Sequence, residues 1–187
     1  INMHGPSNPS TAKTGTPYTV PDAPTITTIT PGNQQLTVAF STPNNGGNPI
    51  TNYHYSTNNG INWTIPNPAV ITSPLVITTD LINGTSYNVM IRAENAGGSG
   101  TASSAVSGTP YTVPDAPTII TITPGNHQLS VYFTPPLNNG GNQIINYHYS
   151  INNGPMTANN PISTDSPLII TGLINSTSYA INISAEN

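Results

Sequence analysis

Six Asp or Glu and four His supply the acid–base and hard-ligand chemistry open to this 187-residue chain, beside two Lys or Arg and no Cys. The carboxylates are Asp22, Asp80, Glu94, Asp115, Asp165 and Glu186. Catalysis between paired carboxylates needs two of them facing each other across a cleft, one with a raised pKa. Four of the six are instead duplicates, Asp22 with Asp115 and Glu94 with Glu186, placed alike in two copies of one sequence unit. A duplicated position is the mark of a structural residue, so no catalytic residue is assigned. The same four define a calcium alternative. If the start of the first strand and the turn between the last two share a pole, Asp22 comes near Glu94 and Asp115 near Glu186, and Asn and backbone oxygens would complete the shell. Calcium sites normally gather more carboxylates, so turn-stabilising hydrogen bonds are the simpler reading, and no cofactor is expected.

Three of the four histidines, His54, His127 and His148, also fall in the repeats. His54 and His148 sit between tyrosines at strand spacing and are expected on a solvated outer face. Without cysteine, disulfides, redox pairs, thiolate zinc sites and cysteine nucleophiles are excluded. No GxSxG, HExxH, phosphate-loop or EF-hand spacing occurs, and the glycine run from Gly97 to Gly100 lacks the Lys and helix of a phosphate loop.

Binding chemistry is constrained in the same way. Charged residues make up 4% of the chain and the net charge is −4, against about 25% charged residues in ordinary soluble proteins. That leaves no basic footprint for nucleic acid or anionic lipid. No apolar run reaches the 18 or so residues of a membrane span, and the opening INMHGPSNPS lacks the regions of a signal peptide. A chain starting at Ile1 reads as a mature piece, or as a window cut from something longer. Trp63, Tyr18, Tyr111 and Tyr132 are the rings left for carbohydrate stacking once the paired tyrosines are given to the core. Trp63 has no counterpart in the second copy, where Met156 stands nearby, and an edge-packing role suits it better. Asn62, Asn83, Asn175 and Asn182 open Asn-x-Ser/Thr sequons, with Asn83 and Asn175 sharing a turn position, and they are the glycosylation candidates.

The elements that place these residues come in two copies. Thr16 to Phe40 (TPYTVPDAPTITTITPGNQQLTVAF) returns from Thr109 to Phe133 (TPYTVPDAPTIITITPGNHQLSVYF), an offset of 93 residues from Thr16 to Thr109. NNGGNPITNYHYSTNNG and LINGTSYNVMIRAEN return as NNGGNQIINYHYSINNG and LINSTSYAINISAEN. Such a period is too long for a solenoid or propeller blade, so each unit should bury its own core. Apolar residues recur every second position at Leu36, Val38 and Phe40, at Tyr53 and Tyr55, and at Tyr87, Val89 and Ile91. This is the period of half-buried strands, and PGN, NNGG, NNG and ING punctuate the runs as turns. About seven short strands per unit predict an all-β, two-sheet antiparallel sandwich.

VPDAP, LTVAF, NGGNPITNY, LINGTSY and AENAGGSG together resemble the fibronectin type III domain, in tandem, of the kind found on bacterial or large-virus surface proteins. The most specific item is the corner: Tyr87 and Tyr179 follow Leu81 and Leu173 by six residues, as in a tyrosine corner whose hydroxyl bonds back to upstream backbone. Phe40 and Phe133 stand where that family usually has Trp. The resemblance implies immunoglobulin-like sandwiches over residues 18–110 and 111–187, the second without its last strand, preceded by residues 1–17 as the end of an earlier repeat or a donated strand. Ile1 to His4 can be laid on Ile181 to Ser184, so the open edge at Asn187 calls for a neighbouring copy in cis or in trans.

The expected function is a non-catalytic structural or adhesive module of an extracellular fibre, stalk or surface array, on a cell or a virion. Strand exchange would polymerise it, and a surface protein or carbohydrate is the outside ligand. The alternative is a spacer of a secreted polysaccharide-degrading enzyme.

Overall fold

The computed structural model describes residues 7–187, so Ile1 to His4 and the start of the leading strand expected over residues 5–15 lie outside the described residues. Residues 7–20 are exposed and form no strand, and the first strand starts only at Thr25. In the first unit β1 (Thr25–Gly32), β2 (Gln35–Ser41) and β4 (Leu75–Ile77) form one antiparallel sheet in the order β1-β2-β4, and β3 (Asn52–Ser56), β5 (Tyr87–Asn95) and β6 (Gly98–Ala102) form another in the order β3-β5-β6. A short β7 (Val106–Gly108) also pairs with β5. In the second unit β8 (Thr118–Gly125), β9 (Gln128–Thr134) and β12 (Leu168–Thr171) repeat the first sheet, and β10 (Asn146–Ile151), β11 (Thr157–Ala158) and β13 (Ile181–Glu186) make the other. The all-β sandwich read from the alternating pattern is the fold observed.

The strand total hides two local differences from an even pattern. β6 and β7 are two pieces of one course along β5, interrupted where Ser103 takes over the ladder: its N–H donates to Ile91 O at 2.8 Å, and Ile91 N–H donates to Ser103 Oγ at 3.0 Å. The segment beside β3 is reduced to a single bridge, Tyr55 with Thr64, whereas its counterpart beside β10 is the two-residue β11.

Each unit closes over its own apolar cluster because the strand period turns every second residue inward. Leu36, Val38, Phe40, Tyr53, Leu75, Ile77, Val89 and Ile91 fill the first, and Val131, Phe133, Tyr147, Leu168, Ile170 and Ile183 the second. A fully buried Leu, Ile or Val contributes roughly 1.5–3 kcal/mol relative to its exposed state. The aromatic pair spans the two sheets at equivalent places, Phe40 with Tyr53 at 4.5 Å and Phe133 with Tyr147 at 4.4 Å between ring centroids. Phenylalanine at the site of the usual Trp is thus accommodated by a tyrosine leaning onto it at a tilted or edge-on angle, a favoured aromatic geometry.

Burial pushes the hydroxyl pKa of Tyr53 and of Tyr147 upward, with the Thr42 side chain pulling the other way at Tyr53. The Tyr53 hydroxyl meets no hydrogen-bond partner of good geometry among the described residues. A tyrosine that ionises less readily folded than unfolded leaves stability untouched below the unfolded pKa of about 10 and lowers it as pH rises past that value. Tm followed into the alkaline range is therefore expected to fall above about pH 10. Tyr53→Phe combined with Tyr147→Phe should flatten that fall, and an unchanged alkaline slope in the double variant would contradict the assignment.

Candidate functional site

The outer face of the β3–β5 sheet departs from the expected solvated histidine. His54 is only 2% exposed, and its Nε2 lies 2.8 Å from Glu94 Oε2. Arg92, opposite His54 in the register, carries its guanidinium over the Trp63 ring, 4.3 Å from the centroid. Together these side chains form a lid over a strand whose five residues are all buried. His148 holds Glu186 at the same 2.8 Å but is 28% exposed. There Ser184 stands opposite the histidine instead of Arg92, so no long side chain covers it. The sequence pattern cannot show this layer, since it depends on Arg92 and Trp63 meeting across a loop.

These pairs also redirect the residues of the calcium alternative. Glu94 and Glu186 give their carboxylates to histidine, while Asp22 and Asp115 are exposed and donate backbone N–H groups to Asn44 O and Asn138 O, both at 3.0 Å. Of the rings set aside for stacking, Trp63 is half-buried under Arg92, and Tyr18, Tyr111 and Tyr132 are 50%, 42% and 40% exposed.

The corner at the other end of the sandwich is tied by two side chains. Tyr87 Oη accepts the Ile82 N–H at 2.9 Å and donates to Asp80 O at 3.3 Å, and Tyr179 Oη accepts the Ile174 N–H at 3.0 Å. Asn83 bonds across to the first hairpin, accepting from Gln34 N–H at 2.7 Å and donating to Asn33 Oδ1 at 2.8 Å. Asn175 repeats this with His127 N–H and Asn126 Oδ1, both at 2.9 Å. Two of the sequon asparagines are therefore engaged as staples between turns. Asn182 also donates to Asn153 Oδ1 at 3.0 Å, and Asn62 lies exposed in the turn before Trp63.

Two residues that the sequence reading passed over organise the junction between units. Asn95, at the end of β5, is 4% exposed and donates its amide to Thr19 O and Asn45 O, both at 2.8 Å, while its Oδ1 accepts from Gly97 N–H. Asn187 does the same for Thr112 O at 2.9 Å and Asn139 O at 2.7 Å. Each clamp draws the segment leading into a unit onto that unit's NNGG loop. The approach is so close that a Cβ on Gly46 or Gly140 would lie 2.4 or 2.0 Å from the carbonyl of Thr19 or Thr112. The signal was present in the sequence, as an Asn closing both AEN runs and a Gly pair in both NNGG runs.

The leader of the second unit is tied at once to both neighbours. Tyr111 N–H donates to Gly32 O at 3.1 Å and Gly84 N–H donates to Pro110 O at 2.9 Å on the side of the first unit, and Thr112 N–H donates to Gly140 O at 2.8 Å on the side of the second.

An immunoglobulin-like sandwich with a tyrosine corner defines the class, and the comparisons agree with it. Residues 21–109 match the model of the fibronectin type III domain. A kelch domain-containing protein of Saccharolobus solfataricus is 28% identical over 172 residues, which cover 89% of this chain and 22% of that protein. One of Sulfurisphaera tokodaii is 32% identical over 185 residues, covering 98% and 24%. The chain thus spans less than a quarter of the length of these curated relatives. Domains A168–A170 of titin align at 17% identity over 89% of this chain and 56% of theirs with a TM-score of 0.54, a likeness of fold. No helix among the described residues is long and apolar enough to cross a membrane.

Asn95→Ala removes three hydrogen bonds and leaves Thr19 O, Asn45 O and Gly97 N–H to find other partners, a loss of roughly 1–3 kcal/mol. Denaturant unfolding is expected to show that destabilisation. A change within about 0.5 kcal/mol, the range of ordinary surface substitutions, would contradict the clamp.

Proposed function

We propose that this chain is a stiff spacer and adhesive segment of an extracellular surface array, in which sandwiches follow one another end to end. The observation that carries the reading is the leader at Pro110 to Thr112, whose backbone is hydrogen-bonded to Gly84 and Gly32 on one side and to Gly140 on the other. A connection with its backbone groups satisfied by both neighbours transmits orientation, where a Gly/Ser linker would lose it. The near absence of charge supports contact with neutral partners, other copies of the unit first and carbohydrate or surface protein second. The relatives are named for a kelch domain and are more than four times as long as the matched stretch, which fits a spacer set beside a separate functional part.

Strand sharing between copies, in cis or in trans, is the second part of the proposal, since a strand added at a sheet edge gains its affinity from main-chain hydrogen bonds.

Small-angle scattering over a dilution series reads both parts of this function. The expected result is an elongated particle with a narrow interunit distance, whose mean mass rises with concentration. A broad distribution of interunit distances would overturn the spacer, and a mass fixed at one chain throughout would overturn strand sharing in trans.

A further inference from the structure

Gly84 and Ser176 occupy the same place in the two corner turns, LINGTSY and LINSTSY, and both take the left-handed backbone, with φ of 81° and 64°. The turn therefore accepts a side chain, and its geometry alone does not call for glycine at position 84. The neighbour does. A Cβ on Gly84 would lie 3.1 Å from Gly141 Cα and 3.2 Å from Gly141 O, and a Cβ on Gly141 would lie 2.4 Å from Gly84 N and 2.7 Å from Asn83 C. Ordinary carbon contacts sit at about 3.5–4.0 Å. Gly84 N–H also donates to Pro110 O at 2.9 Å, so the same residue closes the bond to the leader and fits against the loop. Asn83, stapled to Asn33 and Gln34, holds the turn at the height where this contact is made.

We propose that the second glycine of an NNGG loop is a docking surface for the corner turn of the unit before it, and that this surface accepts only a corner with glycine at the position of Gly84. The partner is another unit of this kind presenting an Asn-Gly corner. The Asn175–Ser176 corner belongs to the excluded class, because its side chain would enter the space that Gly84 leaves to Gly141. One residue thus sets whether a junction is locked, and a chain mixing Gly and Ser corners alternates between locked and open joints. The inference rests on the spacer reading of the chain and assigns the contact that sets its stiffness.

The test uses residual dipolar couplings of the whole chain and its variants in a weakly aligning medium. The parent chain is expected to fit one alignment tensor across both units. Gly84→Ser should lose the common tensor while each unit keeps its own pattern of couplings, and Gly84→Asn, which favours the left-handed backbone, should do the same. Ser176→Gly should leave the common tensor in place. Retention of one tensor in both Gly84 variants would overturn the proposal. So would loss of the first unit's fold in both, because glycine would then be needed inside the unit. Two tensors in the parent chain would instead overturn the spacer reading itself, which separates the two failures.

Discussion

An asparagine amide holding two carbonyls at once is the interaction on which the arrangement of this chain depends. Asn95 joins Thr19 O to Asn45 O, and Asn187 joins Thr112 O to Asn139 O. Neither carbonyl of a pair lies in a strand ladder, and each would cost about 1–3 kcal/mol if buried without a partner. The amide satisfies both and so fixes the course of the segment entering each unit. From that course follows the path of the leader between units, and from the path follows the meeting of Gly84 with Gly141. Placing two chain segments within contact of one loop also explains the paired glycines of NNGG, the first admitting the leader and the second the neighbouring corner.

With charged residues at 4%, the chain builds its polar contacts from amides and hydroxyls. Asn83 and Asn175 staple hairpins, Ser73 and Ser166 accept from Phe40 and Phe133 N–H at 2.9 and 3.0 Å, and Ser103 stands in for a ladder partner. The histidine–carboxylate pairs among the described residues are His54 with Glu94 and His148 with Glu186, at equivalent positions in the two units. Neutral hydrogen bonds are little screened by salt, so a structure held this way keeps its joints across ionic strengths that would weaken surface ion pairs.

The strands and the core were legible because alternation is a local property: Leu36, Val38 and Phe40 point inward whatever the neighbours do. The corner tyrosines were legible because Tyr87 finds its partners five and seven residues upstream. What escaped depends on contacts across long stretches of chain. His54 is covered because Arg92 and Trp63 meet above it, and no period in the sequence announces that meeting. Asn95 reaches back 76 residues to Thr19, and Gly84 owes its identity to a loop in the next unit. Glu94 and Glu186 likewise meet histidine partners on an adjacent strand, 40 and 38 residues away.

The central claim is that the two units behave as one body through backbone hydrogen bonds made by the leader, and native-state hydrogen exchange of the amides of Gly84, Tyr111 and Thr112 tests it most directly. Protection of all three, approaching that of the strand amides, is the result the account predicts. Exchange of Gly84 and Tyr111 at the rate of an unprotected peptide, with Thr112 still protected within its own unit, would show that the junction opens freely and would contradict it.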